Sequence, residues 1–244
     1  MKIRILKILL SSVSLFIIHY CYAGPPFDTD DPEPVELKHW EYYLSSMDQF
    51  QPGFATGTLP HFEMNYGIIP DCQFHIVLPM NYNSIQNKDF EYGYSNTELG
   101  FKYRFFQSSD KSLQIGTFPI FEIPTINNKN FSNNLQIYLP VWIQKNRGKW
   151  TTYGGGGYWF NPGNNNKNWL YGGWEIQYDF SKVFTLGGEL FYRTASTVDS
   201  HAFAGFNLGG FINFSDNIHF IYSLGHSITR DKSFMSYIGL LVTI

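Results

Sequence analysis

An all-β fold is predicted, a transmembrane, antiparallel, up-and-down β-barrel of about twelve strands, and three features of the sequence point to it. Aromatic residues make up 19% of the 244 residues while charged residues make up 15%, against about 25% in an ordinary soluble domain. Mean hydropathy is nonetheless slightly negative, at -0.21, and no stretch beyond the N-terminus approaches the roughly 20 apolar residues that a spanning helix needs. Finally, segments of roughly 10 residues alternate apolar and polar side chains between turn residues, as strands do when one face meets lipid and the other a lumen.

The chain opens with Met1, Lys2, Ile3, Arg4, Ile5, Leu6 and Lys7, then a largely apolar run from Ile8 to Ile18, and reaches Cys21, Tyr22, Ala23 and Gly24. A basic start, a short apolar stretch and small residues at Cys21 and Ala23 describe a secretory signal over residues 1–23, cleaved after Ala23. A lipoprotein reading would acylate Cys21, but the bulky Tyr20 before it departs from the small residue such a site prefers. Removing Lys2, Arg4 and Lys7 with no acid moves the formal net charge from -3 by three units to -6. No nucleic-acid partner is expected of such a chain. Cys72 is then the one cysteine left, so no internal disulfide is expected.

Residues 24–38 are rich in proline and acid, with Asp28, Asp30, Asp31 and Glu33 between Pro25 and Pro34. Prolines remove ladder donors, so this is no spanning strand. The composition fits a periplasmic lead-in or a lumen plug, and the plain linker is the commoner fate of such a segment.

From His39 onward, residues 39–244 read as the barrel. Strands are expected near 39–50, 58–68, 73–83, 94–106, 112–124, 134–145, 149–160, 169–180, 183–194, 202–214, 218–228 and 233–244. The even number suits a single-chain bacterial barrel. Tight connectors at Pro70 to Cys72, Gln107 to Lys111, Asn146 to Gly148, Ser181 to Lys182 and Ser215 to Asn217 alternate with longer ones near 51–57, 84–93, 125–133, 161–168, 195–201 and 229–232. Short periplasmic turns and longer outer loops give that asymmetry and put both termini in the periplasm.

Parity assigns the faces. Phe184, Leu186, Gly188, Leu190 and Tyr192 face lipid, opposed to Thr185, Gly187, Glu189, Phe191 and Arg193; Leu170, Trp174 and Ile176 alternate with Glu175, Gln177 and Asp179; Leu99, Phe101, Tyr103 and Phe105 alternate with Glu98, Lys102 and Arg104. A charge facing lipid costs about 2–4 kcal/mol at the midplane, so segregation of charge onto one parity is a strong constraint. Glu63, Glu98, Lys102, Arg104, Glu122, Glu175, Asp179, Glu189 and Arg193 are therefore expected to line the lumen. They serve there as a selectivity lining or, for most of them, as an ion-pair network. Closure is required because backbone groups in hydrocarbon find partners only within a closed sheet.

Pro79, Pro119 and Pro140 fall inside expected strands, although a closed barrel has no edge to excuse them. A hairpin centred on the Lys129–Asn130 bond would set Pro119 opposite Pro140, predicting a wall kink and a small lateral gap, unless the boundaries shift and the prolines sit at the rim. The run Gly154 to Gly157 lies in a strand rather than at a helix entrance. It marks close packing or bending and not a phosphate cradle.

No cofactor or metal is expected, since the seven histidines show no metal-ligand spacing. No catalytic residue is assigned either: Ser and His are present, but no motif joins them as nucleophile and base in a lipid-modifying enzyme. Tyr237 to Ile244 resembles the C-terminal signal read by the barrel-assembly machinery, departing in its final Ile where Phe is usual.

Several phrases together resemble one family. They are Asp30 to Pro34 followed by His39, Trp40 and Glu41; Asn65, Tyr66 and Gly67; Thr97 to Arg104; Trp150 to Trp159 with its glycines; and Thr185 to Phe191. Across nearly the whole exported chain they are similar to the outer-membrane proteins grouped as meta-pathway phenol-degradation-like. The resemblance implies an outer-membrane barrel that passes a small hydrophobic or aromatic solute, and it brings no binding residues with it. Patterning by itself leaves open a passive channel, a structural or interaction barrel with a filled lumen, and an outer-membrane lipid-modifying enzyme.

Overall fold

The computed structural model describes residues 25–124 and 134–244. The expected signal segment, Cys21 within it, and the hairpin centre at Lys129 and Asn130 lie outside the described residues.

Fourteen strand segments form one antiparallel sheet. They are β1 (Trp40–Gln51), β2 (Phe54–Ile69), β3 (Cys72–Ile85), β4 (Glu91–Tyr94), β5 (Thr97–Gln107), β6 (Leu113–Thr117), β7 (Ile120–Ile123), β8 (Gln136–Arg147), β9 (Trp150–Phe160), β10 (Trp169–Asp179), β11 (Phe184–Arg193), β12 (Phe203–Asn213), β13 (Ile218–Ser227) and β14 (Phe234–Thr243). β4 and β5 follow one another along β3, and β6 and β7 follow one another along β8, so the fourteen segments make twelve staves. β14 pairs with β1 from Glu41↔Thr243 to Phe50↔Phe234 and closes the cylinder. Trp40 and Ile244 exchange both backbone hydrogen bonds at that seam, so the first strand's start and the last strand's end lie at the same rim. Among the described residues no helix is long and apolar enough to cross a membrane.

Outward residues are exposed and apolar: Leu170, Trp174 and Ile176 on β10, Leu186, Leu190 and Tyr192 on β11, Phe206 and Leu208 on β12. Their inward neighbours Glu175, Gln177, Thr185, Glu189 and Asn207 are buried. This inversion of the soluble-protein pattern is what a sheet needs when hydrocarbon is outside it.

One expected loop is absent. Residues 51–57 do not form a long connector, because Gln51 pairs with Phe54 and Phe50 with Ala55. Pro52 and Gly53 make the turn alone, Gly53 adopting φ +75. A left-handed φ is available to glycine without steric cost, which lets two residues do the work of seven.

The prolines explain the breaks in the ladder. Thr117 pairs with Val141 and Ile120 with Tyr138, and no backbone pairing joins the two strands between these points. That register sets Pro140 level with Phe118 and Pro119 level with Leu139, one residue away from the face-to-face pair expected from the hairpin centre. The N–H that each proline lacks falls where the ladder is interrupted, and the Thr117 hydroxyl donates to the Pro140 carbonyl at 2.6 Å in its place. Both prolines lie between paired stretches of wall and not at the rim. Pro79 sits opposite His61, where β2 carries a bulge between Thr58 and His61, and its carbonyl accepts from Ser95 at the junction of β4 and β5.

Residues 25–36 run inside the cylinder. Phe27, Val35, Thr29 and Asp31 are buried there. The segment reaches the wall at Gly67, where Leu37 forms a parallel bridge with it and Lys38 N–H donates to the Gly67 carbonyl at 2.7 Å. A Cβ at Gly67 would overlap the Glu36 carbonyl oxygen, so only glycine lets the two backbones pass. The prolines that bar this stretch from a sheet suit an irregular path whose polar groups are met by wall side chains.

Candidate functional site

The inner wall holds this segment by two different means. On the β5 side the grip is ionic. Lys102 Nζ donates to Asp30 Oδ1 at 2.8 Å and to Asp31 Oδ2 at 3.0 Å, and both Lys102 and Asp31 are buried. Gln114 and Gln144 each donate to Glu33 Oε2 at 2.9 Å, and Arg104 stands 3.9 Å from the other Glu33 oxygen. Arg104 also donates to Gln114 Oε1 at 2.6 Å and to Asp71 in the turn below.

On the β11 side the grip is on the backbone. The two carboxylate oxygens of Glu189 accept the N–H groups of Asp28 and Thr29 at 2.8 and 2.7 Å, and Asn207 donates to Glu189 at 2.6 Å. A carboxylate that takes three donors is well satisfied in a buried place. Ser223 donates to the Pro26 carbonyl at 2.6 Å on this side, while Gln73 Oε1, on β3 across the lumen, accepts from Val35 N–H at 2.8 Å. Burial, and then the neighbouring Glu189 carboxylate, push the Asp28 carboxyl up to about 7, with Arg193 and Asn207 acting in the opposite direction.

Above the plug lies an outer chamber of about 790 Å³, and below it a smaller one of about 410 Å³ on the side of the termini. Pro25, Asp30, Glu63 and Phe118 border both. The outer chamber has two unlike walls. One carries Glu63, His75, Glu98 and Glu122. Asn65 donates through Nδ2 to Glu63 at 2.8 Å, which turns its Oδ1 toward His75 Nδ1 at 2.7 Å; His75 Nε2 meets Glu98 at 2.9 Å. An imidazole facing an acceptor at each nitrogen donates from both, so the ring is a cation between two carboxylates. Glu122 accepts from Gln136 Nε2 at 3.1 Å.

The other wall is aromatic. Tyr138, Trp159 and Trp169 stack in sequence, with centroids 4.8 and 5.1 Å apart, and Trp142, Tyr171 and Phe191 continue the surface. Room for these rings comes from glycine. Gly155 lies inward on β9 with φ +149, and a Cβ there would overlap the Val141 carbonyl and press on the Trp142 ring. The glycine run thus accommodates rings from its two neighbouring strands, Trp142 within and Trp174 outside. It does not serve side chains from across the lumen.

Of the nine charged positions, Glu63 and Glu98 share His75, and Lys102 and Arg104 hold the plug from one side while Glu189 holds it from the other. Glu122 lies at the chamber wall. Arg193 stands over the Phe203 ring at 5.2 Å, and Asp179 accepts from the Thr185 hydroxyl at 2.6 Å. Glu175 is set apart: it is fully buried, pairs across strands with Glu189, and neither oxygen has a hydrogen-bond partner among the described residues. Reading the sequence placed Phe191 inward but missed His75, Asn65, Gln73, Gln114 and the rest of the aromatic wall. Parity held the signal, since Tyr138 and Trp142 share the face of Gln136 and Gln144. Among the described residues no group of His, Cys, Asp and Glu could hold a metal ion.

No protein-family model and no curated protein matches the chain. Solved structures do. The COG4313 outer membrane channel from Pseudomonas putida F1 superposes with a TM-score of 0.75 at 12% identity, over 89% of this chain and 100% of that one. The chain has the fold of an outer-membrane channel barrel. The NanC porin matches at TM-score 0.59 and 8% identity, over 82% of this chain and 98% of that one. The translocator domain of autotransporter NalP from Neisseria meningitidis matches at 0.54 and 11%, over 84% and 87%. A channel, a porin and a translocator share this barrel, so the likeness establishes architecture and leaves the task to the lumen.

Proposed function

We propose that this protein is a passive outer-membrane channel for a small solute with apolar or aromatic character, exported through the signal at residues 1–23. The observation that carries this reading is the outer chamber: a volume of about 790 Å³ walled by stacked rings suits a small ligand and exceeds what a merely filled lumen would leave. One of the solved structures that share its fold is a channel, and the sequence resemblance to meta-pathway phenol-degradation-like proteins points to the same kind of solute. The interrupted ladder at Phe118–Pro119 against Leu139–Pro140 supports a sideways route, because strands without backbone bonds separate at low cost there. The last strand, through Tyr237 to Ile244, is proposed as the contact for the barrel-assembly machinery.

The plug favours a second reading, a structural barrel whose lumen is permanently blocked. Proteoliposomes separate the two. Uptake of a small phenol above that of empty vesicles is expected for the channel, and none, with the folded barrel confirmed by its gel shift on boiling, would establish the blocked barrel. Amide-exchange protection at Ile120, Val141 and their neighbours equal to that of β10 would exclude the sideways route.

A further inference from the structure

We propose that the outer chamber binds an organic ammonium ion: a cationic amine on an aromatic or apolar body that carries at least one hydrogen-bond acceptor. This rests on the channel reading only in that solutes reach the chamber. Its acidic wall brings together Glu63, Glu98 and Glu122, and the His75 ring between the first two supplies one positive charge. Glu122 has the neutral Gln136 amide as its bonded neighbour on β8. Carboxylates outnumber cations around the chamber even with Arg193 in its lining, so the chamber attracts a cation and repels an anion.

The aromatic wall gives the second, independent indication. The Tyr138 hydroxyl and the Trp142 indole N–H are buried and without a hydrogen-bond partner among the described residues, and both residues line the chamber. An indole N–H can only donate, so the molecule that satisfies it presents an acceptor such as a hydroxyl oxygen. The two walls meet at Phe118, whose ring packs edge-on against His75 at 5.0 Å and joins Tyr138, Trp142 and Trp159 in one cluster. A single small molecule can therefore place its ammonium at Glu98 and Glu122, lay its body along the rings, and return an acceptor to Trp142. Ring faces add to the attraction for the cation.

The test is calorimetric titration of the full barrel in lipid nanodiscs with three phenols of similar size: tyramine, the neutral 4-ethylphenol and the anionic 4-hydroxyphenylacetate, each corrected with empty discs. Tyramine is expected to bind at least about ten-fold more tightly than either of the others. In the Glu98→Gln/Glu122→Gln variant that preference over 4-ethylphenol falls to about two-fold or less, with the affinity for 4-ethylphenol kept. If the double variant fails to show its gel shift on boiling, Glu122→Gln alone carries the test, with a loss of about three-fold for tyramine only. Equal binding of tyramine and 4-ethylphenol, tighter binding of the anion, or an undiminished preference in the folded variant overturns the proposal. Charge-selective binding without vesicle uptake would sink the channel and keep the site. Uptake without charge preference would do the reverse.

Discussion

The two halves of the inner wall solve one problem differently. From β2 to β6 the interior is matched by charge, with His75 set between Glu63 and Glu98 and Lys102 set against Asp30 and Asp31. From β8 to β12 it is matched by volume, with large rings lying over glycine-bearing strands and Glu189 holding backbone N–H groups in place of a cation. A buried charge demands a partner of opposite sign, whereas a buried ring demands only space. The difference predicts that the first half fails by losing a partner and the second by losing or gaining atoms.

The largest effect is expected from Lys102→Met, which leaves Asp31 buried opposite no cation. Loss of one partner of a buried pair costs about 3–5 kcal/mol. The thermal midpoint of the barrel in detergent should fall, and single-channel current should rise as the plug loosens. Trp142→Ala comes next, at about 3 kcal/mol, since removal of a buried ring leaves a void that its neighbours only partly fill. Its midpoint should fall with little change in current, because no plug contact is removed; a current rise equal to that of the Lys102 variant would erase the distinction between the halves. Gly155→Ala places a Cβ against the Val141 carbonyl at a φ that side chains rarely adopt, and about 2 kcal/mol is expected from equilibrium unfolding in urea.

The smallest effect concerns pH. The Asp28 carboxyl is raised from its ordinary 3.8 to about 7 within the folded plug, so its contribution to docking is present in full below about pH 4 and is lost as pH rises through about 7. Current should therefore increase modestly between pH 5 and pH 8, and the increase should shrink in Asp28→Asn. A current that falls over that range would place the controlling group elsewhere.

Much of the cylinder was legible because parity obeys solvent. Leu186, Leu190, Glu189 and Thr185 could be assigned faces without coordinates, and the later strands begin and end within a residue or two of where turn residues place them. The first hairpin was misread as a connector near 51–57, although a two-residue turn needs only Pro52 and Gly53 and the bulge between Thr58 and His61 absorbs Pro60. The plug was less legible, since composition marks residues 24–38 as irregular without saying where an irregular segment lies. Lys102 gave no hint, because the inward set already holds more acids than bases and nothing in the sequence says that its partners, Asp30 and Asp31, come from the plug. Most of the aromatic chamber stayed hidden because rings in such a barrel are expected to face lipid, and parity alone, as of Tyr138 with Gln136 or Phe191 with Glu189, argues otherwise.

The seam between Trp40 and Ile244 has a consequence for biogenesis. Zipping of that edge joins the first strand to the last, so the sheet stays an open trough until β14 is in place. The proline-rich segment is tied to β2 at Gly67 through Leu37 and Lys38, just ahead of β1, and it can swing into the trough before the seam is sealed. A product that ends ahead of Phe234 would have no mate for β1 and nothing to trap the proline-rich segment, and it would leave the backbone groups of β1 unpaired along a raw sheet edge.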